Sequence, residues 1–378
     1  LNGALLILAI MLLVSIFVTY SLDVSLPKIV GLIFGLSVYF AVIRVCDQPH
    51  AWVIGLSALC LVGLGAAVVG LLGATADTGL AFAYTAVDHW RNLIDRLLGL
   101  AHAINPNEVA GALLWVVSPA GAGVWVLWQY QSEVIGWVGV KWYRVAGVAL
   151  AALSLVVSAA LGLTLSRASY IGVLVTGWIL LAVKWPPRRR WIWWLGSVVA
   201  VGAILVAVAF NQNGDNNRLL TAAVGSVNDR LELYSRALFF FQNFAWTGMG
   251  LNTFVPVTHT FFPMQRIGPQ QPIGDAHNEY LQAGLDLGFP GLIAFLAVNL
   301  GAAFLLWRIL QTDQHRAPHR KIVRGLALGL GGSLLAHFIY GLADAVALGA
   351  KVGFIFWLLL GLVASLYEIA TRFKAESI

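Results

Sequence analysis

The stretch Phe289-Pro-Gly-Leu-Ile-Ala-Phe-Leu-Ala-Val-Asn-Leu-Gly-Ala-Ala-Phe-Leu-Leu-Trp-Arg-Ile309 decides the fold class. Its 21 residues carry one charge, Arg308, at the far end. A bilayer's hydrocarbon core takes about 20 apolar residues of helix. Inside it every backbone amide must find a partner within the segment, so the run is read as a spanning helix. Similar runs cover approximately 1–20, 27–45, 51–73, 108–128, 144–164, 169–184, 191–210, 323–341 and 351–370. The sixth of the ten runs in chain order is short, and the ninth is rich in glycine. Only 11% of the chain is charged, where a soluble domain carries about a quarter. The short alternating strands of a membrane β-barrel are absent from the sequence. The reading is all-α: a polytopic integral membrane helical bundle of about ten or more spans, forming one domain over 1–378.

Charge then orients the spans. One set of alternate connections carries Arg44; Lys141 and Arg144; Lys184 with Arg188, Arg189 and Arg190; Arg308, Arg316, Arg320, Lys321 and Arg324; and Arg372 with Lys374. These are 14 of the 23 basic residues. The positive-inside rule puts them, and both chain ends, in the cytoplasm. Trp185, Trp191, Trp193 and Trp194 flank the basic run as an interfacial belt does. The net charge of +6 therefore reports orientation, and nucleic acid is not an expected partner. Cys46 and Cys60 fall in a cytoplasmic connection and a span, which does not favour a disulfide, and no CxxC motif suggests zinc or redox chemistry. The chain begins at Leu1 already apolar and without methionine, which leaves open a further span before it.

The opposite side holds four connections. In 74–107, Trp90, Leu93, Ile94, Leu97 and Leu98 recur at helical spacing, with Asp88, Arg91, Asn92, Asp95 and Arg96 on the other face. That is the pattern of a helix lying in the interface. The second connection centres on Ser166-Arg167. The third, 211–288, is the largest piece outside the spans and is expected to carry part of an active site. The fourth, 342–350, contains Asp344.

Arg167 sits between two spans with almost no loop. An ionisable group at such a depth faces a cavity or a partner, or snorkels to the headgroups; a guanidinium there suits a diphosphate. Arg230 lies in Val-Asn-Asp-Arg-Leu-Glu-Leu-Tyr, where Asn228 or Asp229 is a candidate cap and Leu231, Tyr234, Leu238 and Phe241 share a face. A cation in a first helical turn opposes the macrodipole, which suggests an anionic ligand; the plainer reading is an ion pair with Asp229 or Glu232. Arg236, further on, reads as a surface residue. Gly248-Met-Gly250 suits a tight turn and is a weak phosphate-loop signal.

His277 lies in Gly-Asp-Ala-His-Asn-Glu-Tyr-Leu. Asp275 is the expected cap, Gly288 the expected stop and Pro290 follows, which puts His277 in the first turn. A neutral imidazole there can take a proton from a sugar hydroxyl, with Glu279 or Asp275 orienting it or sharing the role. A lone loop histidine is otherwise structural. Arg266 is a weaker contact candidate, Asp344 is the acid that Lys351 can pair with, and Asn105-Pro-Asn-Glu108 reads as a helix start. DxD, HExxH, GxSxG and Walker patterns are absent, and the acids on this side look scattered. No metal and no cofactor are expected, so arginines must take the charge of any departing diphosphate.

These residues resemble a known family. His277-Asn278-Glu279-Tyr280-Leu281 through Gly288-Phe-Pro-Gly291, the Ser166-Arg167 turn, Asn228-Asp-Arg230-Leu-Glu-Leu-Tyr and His337-Phe-Ile-Tyr-Gly-Leu-Ala-Asp344 are similar, in order and spacing, to the O-antigen ligase and polymerase superfamily. The resemblance covers mainly 160–360. It implies a helical, lipid-donor (GT-C-like) glycosyltransferase of the bacterial inner membrane with its active site facing the periplasm. The ligase moves a glycan from undecaprenyl diphosphate to lipid A-core, with inversion and without metal. On this chain the resemblance implies that Arg167 and Arg230 hold the diphosphate and that His277 takes the acceptor's proton. Asn278, Glu279, Arg266 and Asp344 complete the expected substrate contacts. A monomer is the default. The alternatives are a polymerase of the same superfamily, a related protein-glycosylating transferase and, from another class, a flippase for lipid-linked sugar. A flippase would spread charge through the span interiors, which here are nearly uncharged.

Overall fold

The computed structural model describes residues 1–72, 105–184, 191, 218–264, 274–311 and 318–375. Among them are eleven helices and no strand: α1 (Asn2–Val18), α2 (Leu22–Val45), α3 (Pro49–Leu72), α4 (Pro106–Gln129), α5 (Gln131–Leu163), α6 (Arg167–Lys184), α7 (Arg218–Asn243), α8 (Phe254–Phe261), α9 (Glu279–Leu310), α10 (Pro318–Tyr340) and α11 (Phe354–Ala375). Seven of these, α2 to α5 and α9 to α11, are long and apolar enough to cross a membrane, while α1 and α6 are shorter apolar helices. Nine of the ten expected spans thus fall on helices. The span at 191–210, Trp191 apart, and the interfacial helix expected at 88–98 lie outside the described residues.

The bundle is an all-α, multi-pass membrane architecture. Its centre is α4 and α11, whose spanning windows are the most enclosed. Trp115, Phe356 and Trp357 are fully buried there, with Phe295 of α9 and Tyr340 of α10 against them. On α1, α2, α3, α5 and α6, by contrast, large apolar side chains such as Phe17, Phe34, Leu61, Leu155 and Leu174 face outward. In water so much exposed apolar surface would drive association; in hydrocarbon it is the matching surface. The glycine-rich ninth run has a packing reason. Gly325, Gly329 and Gly332 let α10 lie directly on α4, where any added Cβ would collide with Val126, Ala122 or Ser118. Ser333 then donates to the carbonyls of Leu114 and Trp115 at 3.0 Å. Small residues and hydroxyls are how helices approach closely in lipid.

Helix starts follow local chemistry. At α4 the Asn105 side chain accepts from the amide of Asn107 at 2.9 Å, Pro106 occupies the first turn and Glu108 faces the positive end of the dipole. At α9 the cap is Asn278, whose Oδ1 accepts from Tyr280 and Leu281 at 3.1 and 3.0 Å. This corrects the expectation for Asp275, which instead accepts the amide of His277 at 2.7 Å, one turn earlier. His277 therefore precedes the helix. Gly288, with the non-helical φ 68° and ψ −176°, interrupts α9 as expected: two helices meet there across a kink, and the second runs on to Leu310.

Outside the spans, α7, α8, the segment between them and the start of α9 share a second apolar core. It comprises Leu233, Ala237, Phe240, Met249, Phe254, Met264, Ala276 and Leu285. Helix α7 begins at Arg218, so Asn228 and Asp229 do not cap it and Arg230 lies well inside it, away from the N-terminal dipole. The buried stripe is Leu233, Ala237 and Phe240, one step off the expected face, and Leu231 and Leu238 are exposed. Gly248 and Gly250 do not form a phosphate loop. Gly248 abuts Gly288, backbone against backbone: a Cβ on either would lie 2.7–2.8 Å from main-chain atoms of the other strand of chain. Both have φ near 70°, a region that glycine enters freely. This contact fastens the outer core to the bend in α9.

Candidate active site

The site gathers where α7, α9 and the connection after α10 meet. Three backbone and side-chain links fix residues 277–279 to residues 341–342. The Glu279 amide donates to Gly341 O at 2.8 Å. Asn278 Nδ2 donates to Leu342 O at 3.0 Å, and the Tyr234 hydroxyl of α7 lies 3.0 Å from His277 O and 3.1 Å from Leu342 O. Segments distant in sequence are thereby held edge to edge, which brings Asp344 onto His277.

His277 Nδ1 lies 3.3 Å from Asp344 Oδ1 and 3.8 Å from Asp275 Oδ1. Asp344 is buried and the imidazole is part-exposed. The His277 backbone has φ 45°, a left-handed conformation uncommon for a residue with a Cβ and characteristic of functional sites. The hydrogen bond to Asp344 is the largest influence on the ring. It raises the imidazole's pKa above the usual value against the opposing effect of burial, with Asp275 adding to the rise and Arg230 opposing it. Asp275 is pushed up to about 6 by burial and by the neighbouring Asp344 carboxylate. The Tyr234 hydroxyl is raised as well, chiefly by burial, with Arg230 again acting in the opposite sense. Arg230 is thus electrically coupled to both Tyr234 and His277.

An aspartate on Nδ1 selects the tautomer that carries its proton there and leaves Nε2 as the basic nitrogen. Such a pair can abstract a proton from a hydroxyl and stabilise the imidazolium that forms. Asp275, His277 and Asp344 also present one ligand atom each within 4.8 Å of one another, a spacing that can hold a metal ion. The acids on this side are therefore not scattered, as their sequence positions suggest; folding collects two of them around one imidazole.

The remaining expected site residues are distributed unequally. Arg167 opens α6 after a turn in which Leu165 has φ 53° and Ser169 Oγ donates to Ser166 O at 2.8 Å. It is exposed, and no hydrogen bond or ion pair joins it to another described residue. It belongs to the same end of the bundle as His277. Gly172 of α6 packs against Ala336 of α10, and from that level the two antiparallel helices run to Arg167 and to the 341–344 connection. Asn278 serves as the cap described above. Glu279 does not orient His277. It is 3% exposed, and its carboxylate is engaged by His337 Nε2 at 2.8 Å and by the amides of Val346 and Ala347. Lys351 makes no ion pair with Asp344; its charge acts on Glu108. Arg236 is half-buried, not the surface residue its position suggests. Arg266 lies outside the described residues.

Two groups escaped the sequence reading. Lys28 of α2 pairs with the fully buried Asp286 at 2.7 Å. Asp286 Oδ1 in addition accepts from the Asn252 amide at 3.1 Å and from Gln282 Nε2 at 2.8 Å. A lysine and an aspartate in separate apolar stretches carry no mutual signal. Tyr234 was legible only as a member of a helical face, and its hydroxyl's two carbonyl neighbours are purely tertiary.

The protein is thus a multi-pass helical membrane bundle with an aspartate-backed imidazole and an arginine at one end, outside its spans. The family model described as O-antigen ligase matches residues 152–296, from the second half of α5 to the early part of α9. Over that segment, well under half of the chain, the protein is similar to the O-antigen ligase family. Arg167, Arg230 and His277 fall inside the match; His337 and Asp344 fall beyond it. The match does not separate ligase from polymerase. No curated protein sequence matches the chain.

Proposed function

We propose that this protein is an O-antigen ligase, transferring a glycan from undecaprenyl diphosphate to a hydroxyl of lipid A-core at the periplasmic face of the bacterial inner membrane. The observation that carries the reading is His277 Nδ1 against Asp344 at 3.3 Å, within a chain whose residues 152–296 match the O-antigen ligase family. In the reaction the acceptor hydroxyl attacks the anomeric carbon in line. Its proton passes to Nε2 of His277, the new glycosidic C–O bond forms, and the bond to the diphosphate breaks with inversion. Asp344 stabilises the imidazolium. Arg230 and Arg167 take the charge of the departing lipid diphosphate, so the step uses side chains alone. A positioned general base is worth about 10²–10⁴ in rate and an electrostatic donor about 10²–10³.

The periplasmic assignment rests on charge: Arg44 ends α2 and Arg308 ends α9, at the end of the bundle opposite His277, where the positive-inside rule puts the cytoplasm. Purified protein in detergent, supplied with undecaprenyl diphosphate-linked glycan and lipid A-core, is expected to give glycosylated lipid A-core. Chains lengthened on the carrier would make it a polymerase. Carrier crossing a vesicle membrane without any new glycosidic bond would make it a transporter. His277→Ala is expected to abolish transfer in a folded protein, and normal turnover in that variant would overturn the mechanism.

A further inference from the structure

Beside the His277 cluster lies a half-open cavity of about 230 Å³, lined among others by Lys28, Glu108, Asn252, Asp275, Gln282 and Lys351. Asp275 belongs to both places: one oxygen faces His277, and the residue forms part of the cavity wall. The chain that leaves Asp344 continues directly into the wall as Ala345 and Val346. At roughly 30 Å³ per water the space equals about seven or eight waters, the room of one monosaccharide ring.

The charges of the wall say what class of ligand fits. Lys28 is committed to Asp286 at 2.7 Å, and the field of Lys351 falls on Glu108. Lys28 is therefore not a spare cation for a phosphate, and Lys351 alone cannot offset the charge of a diphosphate beside three carboxylates. Gln282 is also committed, holding Asp286 with its Nε2 and the Ala276 amide with its Oε1. Asn252 Nδ2 is bound to Val24 O, which leaves its Oδ1 to accept. The wall carries three carboxylates (Glu108, Asp275 and Glu279) against two lysines, and Lys28 and Glu279 are already engaged elsewhere, so it offers mainly carboxylate and amide oxygens and a single free ammonium. Sugar hydroxyls, each both donor and acceptor, match such a surface, whereas a diphosphate does not.

We infer that this cavity is the subsite for the acceptor's sugar ring, a neutral polyol, which it presents to His277 across Asp275. The inference rests on the transferase reading above and adds to it where the acceptor sits. The donor diphosphate then lies elsewhere, towards Arg230 and Arg167.

Gly274 gives the test. It lines the cavity, and a Cβ added there meets no described residue within 4 Å. Gly274→Trp is expected to fill the space, and a melting curve like that of the unaltered protein checks that the fold is kept. The acceptor KM should rise about tenfold or more while slow hydrolysis of the donor by water stays unchanged. An unchanged acceptor KM would overturn the inference, as would an equal loss of donor hydrolysis. Gly274→Cys supplies a second measurement that needs no turnover. Cys46 and Cys60 are buried, so maleimide labelling should report position 274. Lipid A-core or carrier-linked repeat unit should protect it, and bare undecaprenyl diphosphate should not. Protection by the bare diphosphate, or by none of these, would also overturn the inference. Protection by lipid A-core with no transfer by the unaltered protein would keep the subsite and remove the transferase reading instead.

Discussion

Glu279 and His337, 58 residues apart, meet at 2.8 Å between Oε2 and Nε2 in the interior of the bundle. The other carboxylate oxygen accepts the amides of Val346 and Ala347, and the His337 ring lies on Trp115 with centroids 4.2 Å apart. One side chain thus ties the start of α9 to the end of α10 and to the connection that carries Asp344. Removing it strands a buried imidazole and two amides. Breaking one partner of a buried pair costs about 3–5 kcal/mol. Glu279→Ala is therefore expected to lower the detergent melting temperature sharply and to abolish activity with it, and Glu279→Gln to do less of both. A Glu279→Ala protein with unchanged melting and lost turnover would instead put Glu279 in the chemistry.

The pH profile should report the imidazole. The base form of His277 is the neutral one, and Asp344 raises its pKa above the ordinary histidine value. The rate should then climb with rising pH, with a midpoint above that of a free histidine, and be lost as pH falls through it. Asp344→Asn removes the largest cause of the rise and should move the midpoint down. Arg230→Ala removes an opposing cation and should move it up. Rate against pH for the three proteins checks both signs.

The arginines should separate from the fold. Arg167 is exposed and joined to no other described residue, so Arg167→Ala should melt like the unaltered protein while kcat falls about 10²–10³-fold. Arg230→Ala should fall by a similar factor. Lysine at either position should recover only part of the loss, since an ammonium cannot reproduce a bidentate grip on a diphosphate. Single-turnover rates with melting curves on the same preparations measure this.

Asp275, His277 and Asp344 are spaced closely enough for a metal, yet the proposed proton transfer needs His277 unligated. Turnover is accordingly expected to persist in a strong chelator and to be unaffected or inhibited by added divalent zinc. Loss in chelator with recovery on adding a divalent cation would reassign the three residues as ligands.

Apolar runs announced the spans because in hydrocarbon composition alone carries the signal, and Asn105 and Gly288 announced a cap and an interruption because those backbone positions need their side-chain types. His277 and Arg230 stood out as polar residues beside the spans, and Arg167 as one between two of them. Contacts made at a distance were less legible. Asp275 looked like the cap because it precedes a helical run, but Asn278 competes for the same amides and wins by being nearer. Asp344 reached His277 only through the links at Gly341 and Leu342. Lys28 and Asp286 find each other across more than 250 residues, and no periodicity encodes that.

The cap at Asn278 leaves His277 hanging from a helix end, and Asp344 and Arg167 likewise hang from connections or first residues. Most of the length of the membrane helices is apolar, broken by the buried pairs Lys28–Asp286 and Glu279–His337 near the same end. Two kinds of selection therefore act on one molecule, loose along the shafts and tight at one rim. Relatives should differ freely in their early spans while keeping a recognisable rim.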